Sequence, residues 1–84
     1  MFAISIDIEA TQMQKEHVSS VLGNYGFYPS IGGMYLCESS DMVVMFSAID
    51  ALRDLPWFTE KVRDVKAFRV ENWSDFTELI KRGV

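Results

Sequence analysis

Residues Val62 to Glu71 constrain this chain more than any other stretch. Read as a strand, they put Val65 and Ala67 on one face and Phe68 and Val70 on the other. A strand with one wet face has no need of apolar residues on both sides, so each face must be covered. The chain has 84 residues and is read as a single domain over 1–84. A domain this short buries only about 60–65 % of the surface its unfolded chain exposes. Yet 49 % of the residues are hydrophobic and 13 % aromatic. A homodimer that hides part of this apolar surface is the expected solution.

The remaining elements follow from periodicity and punctuation. Phe2, Ile4, Ile6 and Ile8 alternate with Ala3, Ser5 and Asp7, the period of a half-buried strand. Thr11 to Gln14 has the form of a capping box. Met13, Val18, Val21, Leu22 and Tyr25 then fall on one helical face, which Gly26 ends. Phe27 to Ile31 and Met34 to Cys37 flank Gly32-Gly33, a two-residue hairpin turn. Pro29 cannot donate to a ladder, which assigns its arm to a sheet edge. Ser39, Ser40 or Asp41 caps a second helix with a face of Met42, Met45, Phe46, Ile49 and Leu52, ended at Leu55-Pro56. After the Val62 strand, Ser74 caps a short helix bearing Phe76, Leu79 and Ile80, closed by Gly83. The order is strand, helix, strand, strand, helix, strand. This is an α+β, ferredoxin-like β-α-β-β-α-β plan with a short C-terminal helix. The Pro29 strand and the Val62 strand should form the edges, with the first strand between them.

Charge and cysteine content narrow the function. The formal net charge is −4 and the pI about 4.7, which argues against tight, non-specific nucleic-acid binding but leaves room for a local cationic strip. Cys37 is the only cysteine, so an internal disulfide or cysteine-rich metal site is excluded; it reads as a small buried hydrophobe. The N-terminus passes straight into strand-like alternation, without the pattern of a signal peptide, and no apolar run approaches the ~20 residues of a membrane span. The expectation is a soluble cytoplasmic protein. No phosphate-cradling glycine loop, zinc-ligand cluster or serine-histidine-acid arrangement is present. His17 reads as a surface residue near Glu16. Trp57, Phe58 and Trp73 either stack on unpaired bases or serve as core or dimer contacts.

Several blocks resemble the virulence-associated protein D (VapD) family, small dimeric proteins related to a CRISPR-associated endonuclease of the same fold. They are Ile6-Asp7-Ile8, the hairpin Ile31-Gly32-Gly33-Met34-Tyr35, and Asp41-Met42 with Phe46-Ser47-Ala48-Ile49. To these add Ala51-Leu52, Leu55 and Pro56-Trp57-Phe58. The agreement closes with Val62-Arg63-Asp64, Ala67-Phe68-Arg69-Val70-Glu71 and Trp73-Ser74-Asp75-Phe76-Thr77. Two departures stand out. The first helical connection is shorter than the family's, and Gly33 stands where the family hairpin has serine. If that hydroxyl positions phosphate or RNA, Ser30 or a backbone amide must substitute, and restoring serine at Gly33 should raise activity.

The resemblance implies an endoribonuclease, of the kind encoded in toxin–antitoxin or mobile-element settings with a cognate antitoxin protein. By alternation, Asp7 points away from the core helices. Across a dimer twofold, two Asp7 carboxylates can share a divalent cation such as Mg²⁺. Alternatively Asp7 takes the proton from a ribose 2′-hydroxyl without metal, or merely ends its strand and caps the first helix. Asp64 is the second candidate carboxylate. Arg63 and Arg69 share a strand face and suit bidentate phosphate contacts, whereas Arg63 and Asp64, being neighbours, point to opposite faces. Salt bridges are the alternative use of Arg63, Asp64 and Lys66. The competing function class is a dimeric module that binds RNA or a protein partner after losing activity, favoured by Gly33, the short connection and the acidic pI.

Overall fold

Apolar alternation gives the first strand one buried face, with Phe2, Ile4 and Ile6 against the core, and the order of elements places it between the others. The computed structural model describes residues 1–71, 74 and 76–82. Its elements are β1 (Phe2–Ile8), α1 (Gln12–Gly23), β2 (Tyr28–Pro29), β3 (Met34–Cys37), α2 (Met42–Arg53), α3 (Pro56–Lys61), β4 (Val62–Arg69) and α4 (Thr77–Lys81). The four strands form one antiparallel sheet in the order β2-β3-β1-β4, the ferredoxin-like arrangement. The Pro29 strand is at one edge and β4 at the other, as the sequence led us to expect.

Local signals set the helix starts. The Thr11 hydroxyl accepts from the Gln14 N–H at 3.1 Å, while the Gln14 side chain accepts from the Thr11 N–H at 3.0 Å. Asp41 caps α2 by accepting from the Val43 N–H at 2.9 Å, and Ser39 supports it by accepting from the Asp41 N–H. Pro56 ends α2 but also opens α3 at its first position, where its missing N–H costs nothing. That short helix turns the chain back into β4. α4 starts from Phe76 without a side-chain cap, so Ser74 does not play the role read from the sequence. Trp73 and Gly83, read from the sequence as a stacking or contact residue and a helix end, lie outside the described residues.

The core lies between the sheet and α1 and α2. Ile4, Leu22, Leu52 and Val18 are its largest fully buried side chains, joined by Phe2, Ile6, Phe27, Met45 and Phe58. Cys37 is buried, with its Sγ 3.8 Å from the Tyr25 carbonyl. Three residues of the expected helix faces are outside: Met13 is 79 % exposed, Phe46 61 % and Met42 44 %. In α2 the buried stripe is Met45, Ala48 and Leu52, one position round from the expected face. Phe46 and Met42 instead line an apolar groove with Phe2, Phe68 and Arg69, between α2 and the β4 edge.

On the opposite face of the sheet, Ala3 is enclosed by its two cross-strand neighbours, Leu36 and Phe68. Val70, Phe76 and Ile80 from the C-terminal segment join Ile31, Met34 and Leu36 around an apolar cavity there. α4 itself buries no side chain, and Phe76, Leu79 and Ile80 stay exposed. The apolar surplus read from the composition is therefore on the surface.

Candidate active site

Asp7 stands near the C-terminal end of the central strand, on the face away from the helices, with its side chain 61 % exposed. Its directly opposed partner on β4 is Asp64. Opposed residues in an antiparallel pair have Cα atoms only ~4.5–5.5 Å apart, so two like charges meet there unless each is compensated. Both are. Lys66, two residues along β4 and on the same face, donates to Asp64 at 2.5 Å. Arg63 donates to Oδ1 of Asp7 from Nε at 3.3 Å and from Nη2 at 3.2 Å.

The Arg63 contact depends on an irregularity. Asp7 pairs with Asp64 but Ile8 pairs with Val62, which leaves Arg63 as an extra residue in β4. Such a bulge re-aims a side chain that regular alternation would send to the other face. Arg63 and Asp64 therefore both address the Asp7 site, contrary to the alternation reading. For the same reason Arg63 and Arg69 do not form a shared phosphate-binding face. Arg69 pairs with Phe2 at the far end of β1, with its guanidinium 5.7 Å from the centre of the Phe2 ring.

Arg63 also donates through Nη1 to Glu9 at 3.1 Å, so one guanidinium serves two carboxylates. Its pKa is raised above the ordinary value, first by the hydrogen bond to Asp7 and then by that group's charge, with smaller help from Glu9. With Arg63 56 % exposed, such pairs contribute little to stability. What they do is orient: two nitrogens of one rigid fork on one carboxylate oxygen fix where the rest of Asp7 points. Replacing Arg63 with Gln should therefore leave the melting temperature within about 2 °C and lower activity more than stability; a thermal melt beside a rate measurement checks this.

A cleft lies next to Asp7, lined by Ile6, Asp7, Ile8, Lys15, Val18, Gly32, Gly33 and Tyr35, with a volume of about 260 Å³. It exists because β3 gives out. Pairing of β1 with β3 stops at Ser5 and Met34, and one further bond runs from the Ile6 N–H to the Gly33 carbonyl at 2.8 Å. Beyond it, Asp7 and Ile8 have a strand neighbour only on the β4 side. The turn is longer than the expected two residues: Ser30 donates to the Met34 carbonyl, and Met34 to that of Ile31. Gly32 within it has φ +60°, in the left-handed region.

Gly33 crosses the central strand closely. A Cβ built there would fall 2.0 Å from the Ile6 carbonyl oxygen. A side chain at position 33 therefore requires the hairpin or Ile6 to shift.

The other residues singled out lie elsewhere. Phe58 is in the core, and Trp57 packs on His17 with ring centres 6.0 Å apart. These are the structural uses rather than base stacking. Among the described residues no group of three or more histidine, cysteine, aspartate or glutamate side chains is placed to hold a metal ion. Asp7 and Glu9 already direct oxygens to Arg63, so a divalent cation does not fit this donor set within one chain. No described helix is long and apolar enough to cross a membrane.

No family model matches the chain. Individual proteins do. It is 41 % identical to an endoribonuclease VapD homolog of Neisseria gonorrhoeae, across 96 % of this chain and 99 % of the relative. That alignment runs over 91 positions, more than the chain's 84 residues, so the relative carries segments absent here. Identity is 45 % to endoribonuclease VapD 1 of Riemerella anatipestifer, over 77 % and 73 % of the two chains. It is 38 % to endoribonuclease VapD of Haemophilus influenzae, over 87 % and 80 %. With these identities spread over nearly the whole length, the chain belongs to the VapD family.

Proposed function

We propose that this chain is an endoribonuclease and that Asp7 is its key carboxylate. The observation that carries the reading is a charged side chain fixed by Arg63 at the end of a central strand, at a residue that borders an open cleft. The names of its relatives support the activity, and RNA is the substrate they imply.

Asp7 acts as general base. It takes the proton of a ribose 2′-hydroxyl, and the 2′-oxygen attacks the adjacent phosphorus. The bond from the 2′-oxygen to phosphorus forms as the bond from phosphorus to the 5′-oxygen breaks, and the leaving 5′-oxygen takes a proton from water. The products are a 2′,3′-cyclic phosphate and a 5′-hydroxyl, with no metal required. Asp64, across the strand pair and held by Lys66, keeps a second carboxylate beside the first. In the second reading, a divalent cation such as Mg²⁺ is shared by Asp7 from two copies.

Highly purified protein, single-stranded RNA, and buffers with Mg²⁺ or with chelator separate these cases. Cyclic phosphate ends made in chelator support the metal-free route; cleavage only with Mg²⁺ supports the shared cation. Binding of RNA without cleavage under either condition would assign the chain to the non-catalytic module.

The active form in this proposal is a homodimer. Its motive is the exposed apolar surface of Phe46, Phe68, Phe76, Leu79 and Ile80 on so small a body. Light scattering at micromolar concentration should return twice the 9.6 kDa chain mass. A monomer mass would remove both the dimer and the shared-cation route. A cytoplasmic toxin–antitoxin setting with a cognate antitoxin is part of the same proposal and rests on the family alone.

A further inference from the structure

The site described so far has a cation, but not one free for a substrate. Arg63 is held between Asp7 and Glu9, so this trio carries a net negative charge. Lys66 is engaged by Asp64, and Arg69 is at the opposite end of β1. In a chain of net charge −4, a phosphate approaching Asp7 meets repulsion unless some other cation faces it. Lys15 lines the cleft with Asp7, projecting from the first turns of α1. Among the described residues it has no ion pair and no side-chain hydrogen bond.

We propose that Lys15 is the residue that receives the scissile phosphate of single-stranded RNA in the cleft beside Asp7. This rests on the ribonuclease reading and deepens it. The surroundings suit the role. Ser19, one turn further along α1, sits 3.1 Å from the Tyr35 hydroxyl and fixes that ring as a cleft wall. Gly32 and Gly33, without side chains, form another part of the lining. The first turn of α1 carries no acidic residue, and Lys15 forms no ion pair with Glu16 beside it among the described residues. The base and the phosphate-binding cation thus stand on different elements, β1 and α1, that line one cleft.

The test uses Lys15→Met, which keeps side-chain length and helix propensity, Lys15→Arg, and Lys81→Met as a control that removes the same charge from α4. Binding is measured by fluorescence anisotropy on a 2′-fluoro RNA oligonucleotide, which cannot be cleaved by 2′-oxygen attack, over a series of salt concentrations. Cleavage of ordinary RNA is followed in parallel. Lys15→Met should weaken binding about tenfold and reduce the salt slope by about 0.7, the loss of one phosphate contact on a single strand. Lys15→Arg should recover most of both, and Lys81→Met should change neither. Unchanged affinity and slope in Lys15→Met would overturn the assignment, as would equal losses in Lys15→Met and Lys81→Met, which would mean diffuse attraction only. Absence of binding by the wild type would overturn it too. Cleavage decides the ribonuclease reading separately: an active wild type with an unaffected Lys15→Met sinks the inference alone. Specific binding through Lys15 without cleavage sinks the activity alone.

Discussion

Replacing Asp7 with Asn should lower the rate of RNA cleavage by about 10²–10⁴, the usual loss for one positioned acid–base group. Asparagine preserves the size of the side chain and still offers an oxygen to Arg63. It removes the charge that proton abstraction or metal binding needs. Because Asp7 is 61 % exposed and its ion pair contributes little to stability, the melting temperature should barely move. The loss should also fall on kcat rather than on RNA affinity, the opposite of the pattern expected for Lys15. Equal cleavage by wild type and Asp7→Asn, in preparations of equal purity, would place the activity in another site or another protein.

The second large effect concerns Gly33. Introducing the serine of the family hairpin should destabilise this chain by ~1–3 kcal/mol and lower, not raise, its activity. The added Cβ would lie 2.0 Å from the Ile6 oxygen and 3.2 Å from its carbonyl carbon. Both are backbone atoms of the central strand, which cannot swing aside like a flexible side chain. Relief requires moving the hairpin, at the expense of the bond from Ile6 to the Gly33 carbonyl, or moving Ile6 and with it Asp7. For a domain of this size the loss corresponds to roughly 4–8 °C in melting temperature per kcal/mol. Gly23 supplies the contrast: a Cβ there meets nothing within 4 Å, so Gly23→Ala should be neutral or stabilising. A Gly33→Ser variant that melted normally and cleaved faster would show that the hairpin has room and that the hydroxyl matters.

The difference between these two positions shows what a sequence makes legible. The outward face of Asp7 is legible because alternation is a local property: Ile4 and Ile6 are buried, so their odd-numbered neighbour faces out. Its functional role is legible only through the family resemblance. Caps at Thr11 and Asp41 and the edge placement of Pro29 are legible from equally local signals, whereas the central first strand follows from the order of the elements. The Arg63 bulge is not legible, because register is decided by how two strands distant in sequence meet, and a period of two in one of them says nothing about an extra residue. The close crossing of Gly33 over Ile6 is likewise a property of tertiary packing. Lys15 was passed over because nothing in its neighbours marks it; only the end of β3 pairing opens the cleft it faces. The exposed α2 residues Met42 and Phe46 mark a further limit. Periodicity finds an apolar stripe, but not which edge of that stripe the sheet will cover.

The site joins the two ends of the chain. Asp7 and its clamp, Arg63, are 56 residues apart, and β1 acquires its β4 neighbour only from residues 62–69. During synthesis the amino-terminal strand emerges early, with nothing yet made to complete its outer side. At ~5–20 residues per second, several seconds pass before the pairing residues follow. A ribosome that stalls or terminates before Arg63 releases a fragment with Asp7 but without the arginine that aims it. The architecture therefore confines the pairing of Asp7 with Arg63 to chains translated past residue 63.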